Sequence, residues 1–402
     1  LTNSPFDQYN GLPTSEQTFA TRLKKSGYKT GIIGKWHNGS SPVFHPNNRG
    51  FDEFFGFLGG GHSYFPESVN TLIPLSLDRN LGDRSHYSAN EGTEWPLSRN
   101  NKGAEFTEYL TTQLSREAAN FVTQSEDPFM LYLAYNAPHT PLEAPKETIQ
   151  KYSHIKNKKR RVYAAMIDEM DKGIGMVVDS LEKSGKLDNT LIFFLSDNGG
   201  AASPSQKHPK GKVLFSDSGP YRDGKGSMHE GGSHVPFIIH WPNGINKKGD
   251  FNGLVSALDI AATAVAVGEG DSSGKPLDGK NLIPYLNGEK SGSPHQALYW
   301  RTQNNKFAIR TEEAKLLTEP WGAGEPELYN MVSDPYEKNN IIDQEPEKRV
   351  ALAKLWNQWN NDNINNIYLP ARAYQEKRLD FYKQLYNDLK AQSEKRPPLI
   401  VK

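Results

Sequence analysis

The stretch that decides the fold lies at residues 27–37 and reads GYKTGIIGKWH. Its first half, residues 28–33, is a short run with several β-branched residues, which predicts a buried strand. Residues 14–26 before it place apolar side chains on one helical face, and Gly27 supplies the left-handed residue that commonly ends a helix. A helix that leads directly into a buried strand is typical of an α/β protein.

The same alternation of helices and strands continues to about residue 285. Apolar spacing predicts helices over residues 107–123, 158–183 and 256–266, and strands over residues 129–135, 190–195 and 235–241. Beyond that point, short strands at 297–301, 307–311, 314–318 and 327–331 precede helices at 345–360 and 371–392. We therefore expect an α/β fold in which residues 1–285 form a mainly parallel sheet flanked by helices, and residues 286–402 form a smaller domain with an antiparallel sheet and helices.

Composition excludes several classes of protein. The 402 residues carry 47 Lys and Arg against 47 Asp and Glu, and a net charge of zero argues against a dedicated nucleic-acid or membrane-surface binder. No run approaches the ~18 apolar residues of a transmembrane helix. Because the sequence has no cysteine, these residues contain no disulfide, zinc–thiolate site or thiol nucleophile.

Side chains with acid–base, metal-binding or anion-binding chemistry gather where the predicted strands end. They are Lys35 and His37 after the first strand, His139 after the second, Asp197 and Asn198 after the third, and Lys225 in the glycine-rich segment before the fourth. In a parallel sheet the carboxyl ends of the strands share one edge, where ligands bind. We therefore expect these residues to converge on one site.

The residue types point to one kind of chemistry. Asp197 and Asn198 offer the oxygen ligands that Ca²⁺ or Mg²⁺ prefers, lysines attract oxyanions, and histidines transfer protons near neutral pH. Together they predict metal-assisted hydrolysis of an anionic ester. Each motif also has an ordinary explanation, since Asp-Asn-Gly-Gly is a common turn and a single Lys or His is usually solvated or hydrogen-bonded.

Six segments, in this order, resemble those of one known family. They are residues 27–37 (GYKTGIIGKWH), 50–56 (GFDEFFG), 136–141 (NAPHTP), 196–200 (SDNGG), 224–232 (GKGSMHEGG) and 327–337 (ELYNMVSDPYE). Together they resemble the formylglycine-dependent sulfatases over nearly the whole chain. The resemblance implies an alkaline-phosphatase-like fold, with a large α/β domain and a small antiparallel C-terminal domain, which agrees with the apolar pattern.

The resemblance also implies roles for the polar residues. Asp197 and Asn198 would ligate Ca²⁺, in preference to Mg²⁺, and Lys35 and Lys225 would bind the sulfate oxygens. His139 would protonate the leaving alcohol, with help from Lys225. His37 would orient the nucleophile and assist the release of sulfate. Cations that are already in place would thus stabilise the charge of sulfuryl transfer.

Two features of the family are missing from the sequence. The family's nucleophile is a formylglycine made from the Cys or Ser of a Cys/Ser-x-Pro-x-Arg motif that precedes the first of the six segments, and residues 1–26 contain no such motif. A pair of acidic metal ligands near the family's N-terminus is absent too. We expect both to lie upstream of Leu1 in a parent sulfatase. The 402 residues alone are then expected to be catalytically inactive, to bind Ca²⁺ poorly and to expose a sheet edge.

Two other functions remain open at this stage. One is a phosphodiesterase or phosphonate hydrolase of the same fold, and the other is a non-catalytic protein that binds sulfated glycans. The loop over residues 60–103 carries aromatic residues and arginines, among them Arg84 and Trp95, which suit a sulfated polysaccharide or oligosaccharide. We expect no nucleic-acid partner and no membrane insertion, and the resemblance implies a periplasmic or extracellular location.

Overall fold

The computed structural model describes residues 11–66, 97–126, 128–201, 215–302, 306–318 and 325–364, with a few positions between 384 and 391. The chain divides into two compact units. Unit 1 comprises Leu1–Asp188, Ala264–Pro276 and Glu376–Lys402, and unit 2 comprises Asn189–Thr263 and Leu277–Gln375. The domain boundary near residue 285 stays a prediction.

Unit 1 contains a mixed sheet flanked by helices. Its elements are α1 (Phe19–Lys25), β1 (Lys29–Lys35), β2 (Glu53–Phe57), β3 (Ser98–Arg99), β4 (Lys102–Gly103), α2 (Leu110–Gln124), β5 (Phe129–Ala134), α3 (Lys146–Lys151) and α4 (Lys158–Lys183). The strand order is β4-β3-β2-β1-β5, with β1 parallel to both of its neighbours and the two short strands antiparallel. The two predicted strands and three predicted helices of this unit therefore form as expected, with boundaries that differ by up to five residues.

Strand β1 lies between β2 and β5, and its residues are buried on both faces. Its five inner residues are all buried, as predicted for a strand covered on both sides. Thr18 caps α1, which begins at Phe19: its hydroxyl accepts the Thr21 N–H at 3.1 Å. Gly27 adopts φ +89°, which is the left-handed conformation expected after a helix. The turn between α1 and β1 is therefore fixed locally by the sequence.

The outer edge of β5 carries partly exposed apolar side chains. Within the described residues, β5 pairs only with β1. The β5 side chains are less buried than those of β1, and Tyr132 is 44% exposed. The expectation that a missing strand exposes an edge of the sheet stays a prediction.

Unit 2 contains two antiparallel sheets. The remaining elements of the chain are β6 (Ile192–Leu195), α5 (Glu230–Ser233), β7 (Phe237–His240), α6 (Leu258–Val267), α7 (Ile283–Leu286), β8 (Leu298–Arg301), β9 (Phe307–Arg310), β10 (Ala314–Thr318), β11 (Pro326–Asn330) and α8 (Pro346–Asn361). The four C-terminal strands form a sheet in the order β11-β10-β9-β8, and α8 packs on it through Leu352 and Trp356. The small antiparallel sheet is confirmed, and most of the predicted helix at 371–392 lies outside the described residues.

The expectation that the third and fourth predicted strands belong to the parallel sheet is wrong. They do not continue the parallel sheet: β6 and β7 form their own antiparallel pair, with Ile192 opposite His240 and Leu195 opposite Phe237. Apolar runs reveal that a segment is a strand but not the direction in which it pairs. In an antiparallel pair the residues after one strand adjoin those before the next, so the turn after β6 meets the segment before β7.

No helix among the described residues is long and apolar enough to cross a membrane.

Gly34 gives the first test of this fold. It has φ +110°, and a Cβ there would collide with the Ala134 carbonyl oxygen of the neighbouring strand. We expect Gly34→Ala to lower the free energy of unfolding of unit 1 by about 3 kcal/mol or more, measured by urea denaturation. Gly27→Ala is the matched control, because Gly27 also has a positive φ but no neighbour within 4 Å of a Cβ. Its expected cost is about 1 kcal/mol. Equal costs at the two positions would contradict the close strand approach.

Candidate functional site

The end of β1 holds Lys35 and His37 in a tight, ordered turn. Lys35 is in register with Phe57 on β2. Two hydrogen bonds continue the pairing beyond the strand: the Trp36 N–H donates to the Phe57 carbonyl at 3.0 Å, and the His37 N–H donates to the Leu58 carbonyl at 3.1 Å. Trp36 is buried and anchors the turn through its indole N–H, which donates to the Phe44 carbonyl at 2.9 Å. The turn is therefore held by both the backbone and the core.

His37 itself has a strained backbone. Its φ is +55°, a left-handed conformation that costs a residue with a Cβ roughly 1–2 kcal/mol. Such conformations persist where the surroundings force them, and they cluster at functional sites. Asn38 helps to enforce the conformation, since its side-chain amide donates to the Trp36 carbonyl at 2.8 Å. The strain at His37 is an independent reason to treat this turn as functional.

His139 follows β5 and has a defined ring orientation. Its Nδ1 lies 2.8 Å from the Thr140 carbonyl oxygen. Because a carbonyl only accepts, Nδ1 must carry a hydrogen, and in the neutral ring Nε2 is then the acceptor. Tyr64, which is fully buried, donates its hydroxyl hydrogen to the His139 carbonyl at 2.9 Å. The ring is thus set to exchange a proton at Nε2.

The topology places these three residues at one edge of the sheet. Strands β1 and β5 are parallel neighbours, and Gly34 is in register with Ala134. Lys35 and His37 therefore follow one strand at the same edge where His139 follows the other. This part of the expected convergence is observed within unit 1.

Unit 2 brings Asp197, Asn198 and Lys225 together in two adjoining loops. The Gly199 N–H donates to the Gly232 carbonyl at 3.1 Å, and the Lys225 N–H donates to the Gly200 carbonyl at 2.8 Å. A Cβ on Gly199 would collide with the Gly231 carbonyl, so the approach of the two backbones requires glycine. This convergence is a consequence of the antiparallel pairing of β6 and β7, not of the parallel sheet that we expected.

A buried group of charges holds the end of the Lys225 loop, which comprises residues 222–231. Lys315, on β10, is fully buried, with its Nζ 2.8 Å from Glu230 Oε1 and 2.9 Å from Glu337 Oε1. Glu337 also accepts the backbone N–H of Glu230 at 2.7 Å. The imidazole of His234 contacts the other oxygen of Glu230 at 3.0 Å, and Arg310 lies 3.7 Å from Oε1.

Two partly buried carboxylates bind the buried imidazole of His229 in the same loop. Its Nδ1 lies 2.8 Å from Asp223 and its Nε2 lies 3.1 Å from Glu327 on β11. Arg222 extends the group, since its Nη1 donates to the Tyr329 hydroxyl at 2.7 Å. Burial raises the pKa of Asp223, but hydrogen bonding and charge from His229 outweigh burial and lower it.

Asp197 and Asn198 are of the right chemical type for a metal ion but do not make a complete site. The Asn198 amide donates to the Gly199 carbonyl at 3.0 Å, which leaves its oxygen as an acceptor. Ca²⁺ takes six to eight oxygens. The described part of the chain contains no cluster of three or more His, Asp or Glu side chains that could hold a metal. The two residues therefore fit part of a Ca²⁺ shell.

The proposed glycan-binding loop is only partly described. Arg84 and Trp95 lie outside the described residues. From the same loop, Tyr64 is a core residue that stacks on Tyr109, and Arg99 pairs with Glu117 at 2.6 Å. The charges that sequence reasoning missed are Glu230, Lys315 and Glu337. The one signal available was Lys315 itself, a lysine within a run that predicts a buried strand.

The fold and these residues define a class of protein. A mixed sheet with parallel strands flanked by helices, in a chain that also has a separate antiparallel sheet, is the architecture of the alkaline-phosphatase-like proteins. Within this class the chain belongs to the sulfatase family: the family model described as Sulfatase matches residues 1–269. A second model, described as N-sulphoglucosamine sulphohydrolase, C-terminal, matches residues 221–364. The family resemblance of the sequence motifs is thereby confirmed.

The curated relatives include sulfatases from animals and from a bacterium. Human N-acetylgalactosamine-6-sulfatase is 32% identical over 289 residues, which cover 70% of this chain and 51% of the relative. The uncharacterized sulfatase YdeN of Escherichia coli strain K12 is 30% identical over 324 residues, covering 74% of this chain and 51% of the relative. The chain thus spans about half the length of these curated relatives.

Solved structures support the same fold. The crystal structure of Ps i-CgsB superposes with a TM-score of 0.78 at 35% identity, covering 97% of this chain and 84% of that one. Its complex with k-i-k-neocarrahexaose gives 0.76 at 34% identity, covering 98% and 84%. The phosphonate monoester hydrolase of Agrobacterium radiobacter, at 19% identity, covers 89% of this chain and 82% of that one with a TM-score of 0.55, and shows the fold alone.

The buried charge group predicts a pH dependence of stability. Burial would raise the pKa of Glu230, but His234, Lys315 and Arg310 outweigh it and lower the pKa to about 2. A lowered folded-state pKa stabilises the fold above the ordinary value of 4.5, and this stabilisation is lost as the pH falls toward 2. We expect a loss of about 3 kcal/mol over this window in urea denaturation.

The substitution Glu230→Gln should remove that part of the pH dependence, whereas the exposed Glu347→Gln should leave it intact. If wild type and Glu230→Gln lost the same stability between pH 5 and 2, the ionised state of buried Glu230 would be refuted.

Proposed function

We propose that this protein hydrolyses sulfate esters of a sulfated polysaccharide or oligosaccharide. The observation that carries the proposal is the position of Lys35, His37 and His139 at one edge of the sheet in a chain of the sulfatase family. A cation and two histidines at a sheet edge suit binding of an anion and proton transfer to a leaving group.

The roles proposed for the side chains follow from their chemistry. Lys35 and Lys225 bind sulfate oxygens and stabilise the negative charge of the transition state. His139, whose Nδ1 hydrogen is held by the Thr140 carbonyl, donates the Nε2 proton of its imidazolium form to the leaving alcohol oxygen. His37 orients the attacking group and assists release of the product sulfate.

A Ca²⁺ ion belongs to this proposal, with Asp197 and Asn198 as two of its ligands. When bound, the ion would supply positive charge for the sulfate oxygens. A formylglycine nucleophile belongs to it as well, and we propose that it lies upstream of these residues, because no Cys/Ser-x-Pro-x-Arg motif precedes residues 27–37.

A sulfated glycan is the substrate class that we propose. Ps i-CgsB forms a complex with k-i-k-neocarrahexaose, and this chain is 34% identical to it over 98% of this chain and 84% of that one. The name N-acetylgalactosamine-6-sulfatase also denotes a sulfated sugar as the substrate of that relative. Arg84 and Trp95 remain proposed contacts to the sugar, and export to the periplasm or the extracellular space remains the proposed location.

Binding of a sulfated galactan hexasaccharide tests the proposed lysines. In titration calorimetry we expect Lys35→Ala and Lys225→Ala each to weaken binding by about 10-fold or more, since each removes a charged contact to sulfate. Lys183→Ala, whose side chain is 80% exposed at the end of α4, is the control and should bind like wild type. Equal affinity for the desulfated hexasaccharide would refute sulfate recognition.

Release of inorganic sulfate distinguishes a hydrolase from a binding protein. In any form of the protein that turns over, His139→Gln should lower kcat by about 100-fold or more because it removes the proton donor. A sulfate ester should react faster than the phosphate ester of the same alcohol. Faster phosphate release would favour the phosphodiesterase, and binding without release in every form would favour the glycan-binding protein.

A further inference from the structure

The buried lysine on β10 raises the question of why a charge is kept there. The side chain of Lys315 is completely buried, with 0% exposure. Its ammonium group lies between the carboxylates of Glu230 and Glu337. Burial of ions is costly, and a well-packed apolar group of similar size is often equally stabilising or more so. Stability alone therefore gives a weak reason for this group of charges, which points to a role in fixing a geometry.

The buried charge group is hydrogen-bonded to the backbone of the Lys225 loop. Glu337 contacts Lys315 with one oxygen and accepts the Glu230 N–H with the other. At the other side, Arg222 donates to the Tyr329 hydroxyl at 2.7 Å and its carbonyl accepts the Gly231 N–H at 2.9 Å. Both ends of the loop, residues 222–231, are thus attached to the C-terminal antiparallel sheet.

The loop is packed too tightly to shift independently. A Cβ on Gly231 would collide with the Arg222 and Asp223 carbonyls, and one on Gly232 would collide with the Ser227 carbonyl. Asp223 and Glu337, at φ +61° and +55°, are held in left-handed conformations that residues with a Cβ rarely adopt. Residues are held in such conformations where the surrounding contacts over-determine them, often at functional sites.

We propose that Glu230, Lys315 and Glu337 are positioning residues that set the location of Lys225 and, through its backbone, of the turn at residues 197–200. The proposal rests on the proposed function of Lys225 in binding sulfate. The connection is direct, because the Lys225 N–H donates to Gly200 and the Gly199 N–H donates to Gly232. The C-terminal sheet is then part of the anion-binding apparatus, and small displacements of the loop weaken binding.

A neutral version of the charge group tests this role. Lys315→Met alone would leave two buried carboxylates without their cation and is expected to unfold unit 2. The triple variant Glu230→Gln/Lys315→Met/Glu337→Gln removes all three charges and is expected to fold, with a lower unfolding midpoint than wild type because Arg310 loses its contact with the Glu230 carboxylate. We expect it to bind a sulfated galactan hexasaccharide about 10-fold more weakly than wild type. The control Lys348→Met breaks a half-exposed pair to Glu345 at 3.7 Å and should bind like wild type.

A double-mutant cycle separates positioning from general stability. Lys225→Ala should cost about 10-fold in the wild type but less than about 2-fold in the triple variant, because Lys225 is already misplaced there. Independent, multiplicative effects would overturn the proposal, as would wild-type affinity in the folded triple variant. Glu337→Asp keeps the charge balance but shortens the side chain, and should weaken binding about 3-fold; it provides the same test if the triple variant does not fold.

Amide hydrogen exchange measures the order of the Lys225 loop without any ligand. The amides of Lys225, Gly231 and Gly232 are hydrogen-bonded within the two loops, and in the triple variant or Glu337→Asp they should exchange about 10-fold faster than in wild type. Unchanged exchange would overturn the positioning role. If wild type does not bind the sulfated hexasaccharide but exchange rises in the variants, the proposed function fails while the positioning of the loop stands.

Discussion

The close approach of three strands at Gly34 is the constraint on which the candidate site in unit 1 depends. A Cβ on Gly34 would meet the Ala134 carbonyl, and one on Gly56 would meet the Gly34 carbonyl, so only glycine allows β2, β1 and β5 to lie this close together. The strands end in register, and the chain leaves the sheet through the buried Trp36 into the strained His37. Lys35, His37 and His139 lie at one edge of the sheet because the close approach of these strands fixes the backbone that precedes each of them.

Unit 2 uses the same principle with a different topology. Antiparallel pairing of β6 and β7 brings the turn at residues 197–200 against the Lys225 loop, and the contact of Gly199 with Gly231 makes the approach close. Buried charges then attach this loop to the antiparallel sheet over 85 to 107 residues of sequence separation. The C-terminal sheet therefore has a structural connection to the loops that carry Asp197, Asn198 and Lys225, rather than being a separate appendage.

The sequence predicted those features of the fold that depend on neighbouring residues along the chain. The helix at 158–183 and the four C-terminal strands follow from apolar spacing, and Gly27 marks its turn because left-handed backbone favours glycine. Pairing direction is not local, so the antiparallel β6–β7 pair could not be predicted from two apolar runs. Lys315 and Glu337 were missed for the same reason: a charged residue is usually solvated, and only the folded chain shows that these two are buried against each other.

The geometry of a bound sulfate group is the most direct test of the central claim. A crystal structure of the protein with a sulfated galactan hexasaccharide should show Lys35 Nζ within hydrogen-bond distance of a sulfate oxygen and His139 Nε2 within the same distance of the bridging ester oxygen. A hexasaccharide whose sulfate groups contact neither Lys35 nor His139 would contradict the account.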